Sequence, residues 1–293
     1  MGLMGNLVGA ELRKTTTTGL WWGLLIPTAV LALGWGLATG LLGQFFVDFA
    51  SSGDVDEVSD FLGVTPDQWK VSLFGMARAI NISTIFPMVF GAMAISSEIS
   101  RRTITTTFLT APSRMHALLA KMLVYVLWGA IYGLAIMAFV SIGVVITSDA
   151  GQLPDAGGWA MLTLVCVLSS ILMTMLGVGV GALIPNVAGA VVLLLLYFLV
   201  IENVLHGVLA YLEVPAVIGF LPNGSINGLT GAVAVDLFLS SAGVVPTEIE
   251  DVLRAIAGAA GAQDWWLSGI VFLAWAGVVF AGGWAVTQSK DIT

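Results

Sequence analysis

The chain has 293 residues, 58% of them hydrophobic and 10% charged, with a mean hydropathy of +1.00 and a formal net charge of −8. Ordinary soluble domains carry about 25% charged residues, so a soluble globular protein is excluded. Several apolar runs of about 20 residues, each matched to a hydrocarbon core about 30 Å thick, imply an all-α polytopic membrane protein forming a single transmembrane domain over 1–293. The acidic balance also disfavours a nucleic-acid partner.

Residues 1–19 mix Glu11, Arg13 and Lys14 with apolar Leu3, Met4, Leu7, Val8 and Leu12 at helical spacing, which predicts an interfacial helix. The apolar run that follows is too long for the h-region of a signal peptide. A first span is expected over 20–43, with Trp21 and Trp22 as interfacial anchors and Pro27 as a site of bending. Between Gln44 and Lys70 stand Asp48, Asp54, Asp56, Glu57, Asp60 and Asp67, which mark an outside loop; Thr65-Pro66-Asp67-Gln68 closes it as a capping box. The second span runs to about residue 97 and is broken by Pro87.

Glu98 to Lys121 holds Arg101, Arg102, Arg114 and Lys121, four of the ten bases in the chain. Such a cluster between two apolar runs is expected on the cytoplasmic side. Pro112 suits a first helical position, with Ser113 and Arg114 in the first turn. Further spans are expected over 118–147, 159–184 and 187–210, the last two joined by a tight Pro185-Asn186 turn, and over 265–286. Segment 211–264 falls outside: Leu221-Pro222-Asn223-Gly224 signals a turn, and Thr247-Glu248-Ile249-Glu250 opens an amphipathic helix through Ile249, Val252, Leu253 and Ile256. A seventh crossing over 225–245 would carry Asp236 in its middle, so a re-entrant or surface hairpin fits better. With six spans, the bases at 13, 14, 101, 102, 114, 121 and 290 fall inside and those at 70 and 254 outside, with both termini cytoplasmic.

No lysine follows a glycine anywhere, so the phosphate loop of ATPases is missing and the chain binds no ATP of its own. His116 and His206 form no HExxH, no GxSxG occurs and no aspartate falls within an expected span, so neither metalloprotease nor hydrolase chemistry is supported; no metal site or cofactor is expected on this chain. The single cysteine, Cys166, sits in an apolar run as a packing residue. Gly36 and Gly40, Gly129 and Gly133, and Gly177 and Gly181 each allow close helix contact. Glu202 is the most informative polar residue in a span, with Asn203 beside it and His206 one turn on. A carboxylate in hydrocarbon costs about 2.5 kcal/mol or more unless it is paired or reaches water. It either reaches the outer water or pairs with Arg78, at comparable depth in the second span.

Ala10-Glu11-Leu12-Arg13-Lys14-Thr15-Thr16 followed by Trp21-Trp22, and Glu98-Ile99-Ser100-Arg101-Arg102-Thr103 followed by Leu109-Thr110-Ala111-Pro112-Ser113-Arg114 and Ala120-Lys121, resemble the ABC-2 type permease family. These are membrane subunits of ATP-binding-cassette exporters, and the resemblance is closest to bacterial members. Arg102 departs from the pattern, where many relatives place glycine. The resemblance implies that the cytoplasmic segment 98–114 is a coupling element, with Glu98, Arg101, Arg102 and Thr103 docking into a separate ATPase subunit that holds ATP and Mg. It also implies pairing with a second permease copy or a related permease in the bacterial inner membrane. The second and fifth spans, carrying Arg78, Glu202 and His206, would line the route of an exported amphipathic compound such as a drug, lipid or peptide. A passive channel would need a more polar lining, and a structural anchor subunit would tolerate charge changes in the 98–121 loop.

Overall fold

Hydrocarbon leaves a backbone no partner but itself, which makes helices the economical way for so apolar a chain to satisfy its amides. In a computed structural model describing residues 3–49, 69–105, 111–242 and 247–289, the regular elements are all helical. They are α1 (Leu3–Thr17), α2 (Leu20–Phe49), α3 (Ser72–Ser83), α4 (Ile85–Ser100), α5 (Arg114–Thr147) and α6 (Ala156–Leu183). Next come α7 (Val187–Leu196), a π-helical turn (Tyr197–Ile201), α8 (Glu202–Tyr211) and a 3-10 segment (Pro215–Phe220), then α9 (Pro222–Ala242), α10 (Thr247–Ala257) and α11 (Trp265–Ser289).

Among the described residues, six helices are long and apolar enough to cross a membrane: α2, α3 with α4, α5, α6, α7 with α8, and α11. The acids at 54, 56, 57, 60 and 67, the capping box at 65–68, Thr106 to Thr110 and Lys290 lie outside the described residues.

The second span breaks at Thr84, three residues before the expected Pro87. A proline ring collides with the carbonyl four residues back, here that of Ser83, so the helix ends there and restarts with Pro87 in the first turn of α4. Pro27 leaves α2 unbroken. The third span starts at Arg114 rather than Pro112, because Ser113 is extended (φ −153°, ψ 159°) and its hydroxyl accepts the His116 amide at 3.3 Å, the geometry of an N-cap. Asp155 caps α6 through the Gly158 amide and Asn186 caps α7 through the Gly189 amide, so the Pro185-Asn186 turn is as tight as expected.

The glycine pairs are spent inside the chain. A Cβ on Gly177 or Gly181 would strike the carbonyl oxygens of Met88 and Ala92 on α4, and one on Gly129 or Gly133 would strike the α6 backbone at Ile171 and Val167. Gly36 meets Val140 and Gly40 meets Thr147, both on α5. Without a hydrophobic drive between helices in lipid, such close backbone approach supplies the contact energy.

The segment from Leu221 is a helix start, not a turn. Pro222 occupies the first position of α9, where its missing N–H costs nothing. Nearly every residue of α9 from Asn223 to Val235 is buried, and it packs on α3, α6 and α11. Its first turn meets Phe198 and Glu202 midway along the fifth span, and Trp275 midway along α11 donates to the Phe220 carbonyl at 2.9 Å. Its far end brings Phe238 against Phe74, near the start of α3, with ring centroids 5.0 Å apart. The helix therefore starts inside the bundle and runs toward one end of it, without the length and apolarity of the six spans.

Candidate functional site

The end of the bundle that carries α1 concentrates the sequence-expected coupling residues. On α1, Val8, Glu11, Leu12 and Thr15 share one face at helical spacing; Glu11 and Thr15 are buried, and Val8 and Leu12 pack on the core between α4 and α5. Thr15 accepts the Trp128 indole N–H at 3.0 Å, and the Tyr132 hydroxyl donates to the Trp21 carbonyl at 2.7 Å. From Val8 to Thr15 the N-terminal helix is thus docked on the third span, beyond what an interfacial helix needs, and the start of α2 at Trp21 is tied to the same span.

That docking brings four charges together. Glu98, in the last turn of α4 with its side chain only 4% exposed, accepts Lys121 of α5 at 2.7 Å and Lys14 of α1 through the same oxygen, Oε1. Lys121, 3% exposed, also donates to Glu11. The cluster is electrically neutral and ties α1, α4 and α5 at one point. Buried charges persist only when paired and hydrogen-bonded, and these are. Glu98 is therefore buried beneath the turn that follows α4 rather than part of its exposed surface. No local pattern announces the partnership, since Glu98 lies 84 residues from Lys14 and 23 from Lys121. The one legible signal is Glu11, which interrupts the apolar face of its own helix.

Arg101, Arg102 and Thr103, by contrast, are exposed on the turn that follows α4. The Thr103 amide bonds the Glu98 carbonyl at 2.9 Å and the Arg102 amide bonds that of Ile99 at 3.1 Å, the paired bonds of a Schellman turn. Such a turn needs a left-handed residue at Arg102, which has φ +57°. Glycine is the residue that adopts this angle without strain, so the turn keeps the shape that glycine would favour while presenting a guanidinium. At the same end, Arg114 donates to the Thr287 carbonyl at 2.8 Å and the Ser100 hydroxyl to that of Pro185 at 2.7 Å. The exposed basic turn thus stands on a base cross-tied to α1, α5, α11 and the turn between α6 and α7.

Arg78 and Glu202 do not meet. Arg78 of α3 donates from Nε to the Ile256 carbonyl and from Nη2 to the Ala255 carbonyl, both at 2.8 Å. These are among the last carbonyls of α10, where a cation satisfies orphan acceptors and the negative helix end. Gly258, at φ +87°, follows directly, and a Cβ there would collide with the guanidinium. Glu202 is fully buried, so it does not reach outer water either. Its Oε1 accepts the Gly224 amide at 2.8 Å and stands 3.2 Å from His206 Nε2. The carboxylate thereby serves a buried amide in the first turn of α9 that has no carbonyl of its own helix to bond. Asn223 and Asn203 both donate to the Phe198 carbonyl, at 3.3 and 2.9 Å, bracing the π turn that precedes Glu202. The two residues expected as a pair are two separate locks, one on α10 and one on α9.

Among the described residues, no group of three or more His, Cys, Asp and Glu side chains could hold a metal ion. Neither any known family model nor any curated protein matches the chain.

Proposed function

We propose that this chain is the membrane permease subunit of an ATP-binding-cassette exporter, moving an amphipathic compound with energy supplied by a separate ATPase. One observation carries the reading: an exposed turn bearing Arg101 and Arg102 is mounted on a buried, neutral four-charge cluster that locks α1, α4 and α5 together. A push on that turn is transmitted to three helices at once, because a packed and fully paired cluster does not yield locally. With no phosphate loop in its own sequence, the chain requires such an input from outside. The basic end, with Arg13, Lys14, Arg101, Arg102 and Arg114, is cytoplasmic by the positive-inside rule, both termini are on that side, and α9 is re-entrant from the other. In this reading the protein sits in a bacterial inner membrane as a pair of permeases with two ATPases carrying ATP and Mg. The Arg101, Arg102 and Thr103 turn is the docking surface, while Glu98 holds its base.

The test is affinity purification from the native membrane, with copurifying proteins identified by mass spectrometry and their ATPase activity measured. A partner with a glycine-rich phosphate loop is expected, and its activity should uncouple from the permease in Arg101→Glu with Arg102→Glu. Coupling retained in that variant would remove the docking role. Solute flux through liposomes containing the chain alone, without nucleotide, would mark a passive channel instead.

A further inference from the structure

A cleft of about 500 Å³ opens between α2, α3, α9 and α10, within the roughly 300–1,000 Å³ range of small-ligand pockets. Its walls are apolar, with Trp35 on α2, Trp69 before α3, Phe74 on α3 and Phe238 on α9. Along α2 it extends from Trp35 to Gly43, about 12 Å at 1.5 Å per residue. Its edges at Leu42 and Ile256 are themselves exposed, so it communicates sideways with whatever surrounds the helices, which for a membrane protein is lipid.

Arg78 alone carries charge among the described lining residues. Its Nε and one N–H of Nη2 are committed to α10, and its Nη1 makes no hydrogen bond among the described residues. Arg254, the cation on α10 itself, is engaged with Glu250 at 2.9 Å. An apolar slot ending in one guanidinium with donors to spare is complementary to one apolar chain bearing one negative charge. A doubly charged phosphate monoester would leave a net negative charge in low-dielectric surroundings, where an unpaired charge is costly.

We propose that this cleft binds a long-chain carboxylate, its alkyl chain lying along Trp35, Phe74 and Phe238 and its carboxylate accepting from Arg78 Nη1. The site goes beyond the transport reading and does not depend on it, since binding is measured on the permease chain alone. Because α10 is latched by the same guanidinium, an acidic ligand competes for the residue that fastens this helix over the cleft.

The experiment is quenching of tryptophan fluorescence by brominated dodecanoate in the purified full chain in nanodiscs, with its methyl ester as the uncharged counterpart. Saturable quenching is expected, with the acid binding about tenfold or more tighter than the ester, the scale of one charge-assisted hydrogen bond. Arg78→Gln should abolish that preference and Arg78→Lys should restore most of it. Replacing both Trp35 and Trp69 by Phe should remove most of the saturable quenching, because these are the two tryptophans that line the cleft. Equal binding of acid and ester by the unaltered protein would overturn the proposal, and that comparison needs no variant to fold. Quenching that survives loss of both tryptophans would place the ligand elsewhere and overturn it as well.

Discussion

Lys14 and Lys121 donate to the same oxygen of Glu98, yet they differ in surroundings: the Lys121 side chain is 3% exposed and that of Lys14 is 44% exposed. Lys121→Met removes the cation held between two carboxylates and leaves Glu11 and Glu98 with Lys14 alone, a buried cluster carrying one net negative charge. Removing one partner from a buried pair typically costs about 3–5 kcal/mol, because the survivor is left uncompensated. Lys14→Met should cost no more than about 1 kcal/mol, since water already solvates much of its side chain and exposed pairs contribute little. Adding Glu98→Gln to Lys121→Met restores neutrality, so the double variant should lose less than the sum of the single changes, by about 0.5–3 kcal/mol. Denaturant titration in mixed micelles measures the unaltered protein, the single variants Lys14→Met, Lys121→Met and Glu98→Gln, and the double variant. Tryptophan fluorescence is the probe, because the Trp21 and Trp128 rings lie 5.3 Å apart where the start of α2 meets α5, beside Thr15 of α1. Equal losses for Lys14→Met and Lys121→Met, or strict additivity in the cycle, would refute the account of the cluster as a buried and mutually dependent unit.

Arg102→Gly should stabilise the protein by about 1 kcal/mol, because it relieves a left-handed backbone at φ +57°, and an unchanged or lower midpoint in the same titration would contradict this. Glu202→Ala, which orphans the buried Gly224 amide, should cost about 1–3 kcal/mol, whereas Glu202→Gln keeps an acceptor and should cost clearly less; equal losses would mean that the charge, not the hydrogen bond, matters. Arg78→Met and Glu202→Gln share no partner, so their effects on stability should add to within about 0.5 kcal/mol, and a larger coupling would show that the two locks communicate. Gly177→Val should fail to yield folded protein in the membrane, because its side chain would enter the α4 backbone at Met88; a normal yield would mean that α4 and α6 separate more easily than their contact implies.

Residue identity and local order were enough to place six helices long and apolar enough to cross a membrane, because length and apolarity are properties of a run and a bilayer admits little besides helices. They also placed the Asn186 turn and the amphipathic helix beginning at Thr247, whose signals lie within a few residues of one another. The proline of the second span foretold a break but not its position, since the collision acts on the carbonyl four residues earlier. What only the tertiary structure decided was which polar groups meet. In a soluble helix the apolar face marks the core, but in a membrane the faces toward lipid and toward neighbouring helices are both apolar, so composition does not tell a span which way to turn. Glu98 could therefore be read as a surface charge although Lys121 and Lys14 enclose it, and Arg78 as the partner of Glu202 although its carbonyl acceptors lie 177 and 178 residues away. Depth along a span is nearly linear in residue number, whereas rotation and neighbours are set by close approaches such as Gly177 on Met88 and Gly36 on Val140, and those contacts exist only once the helices have packed.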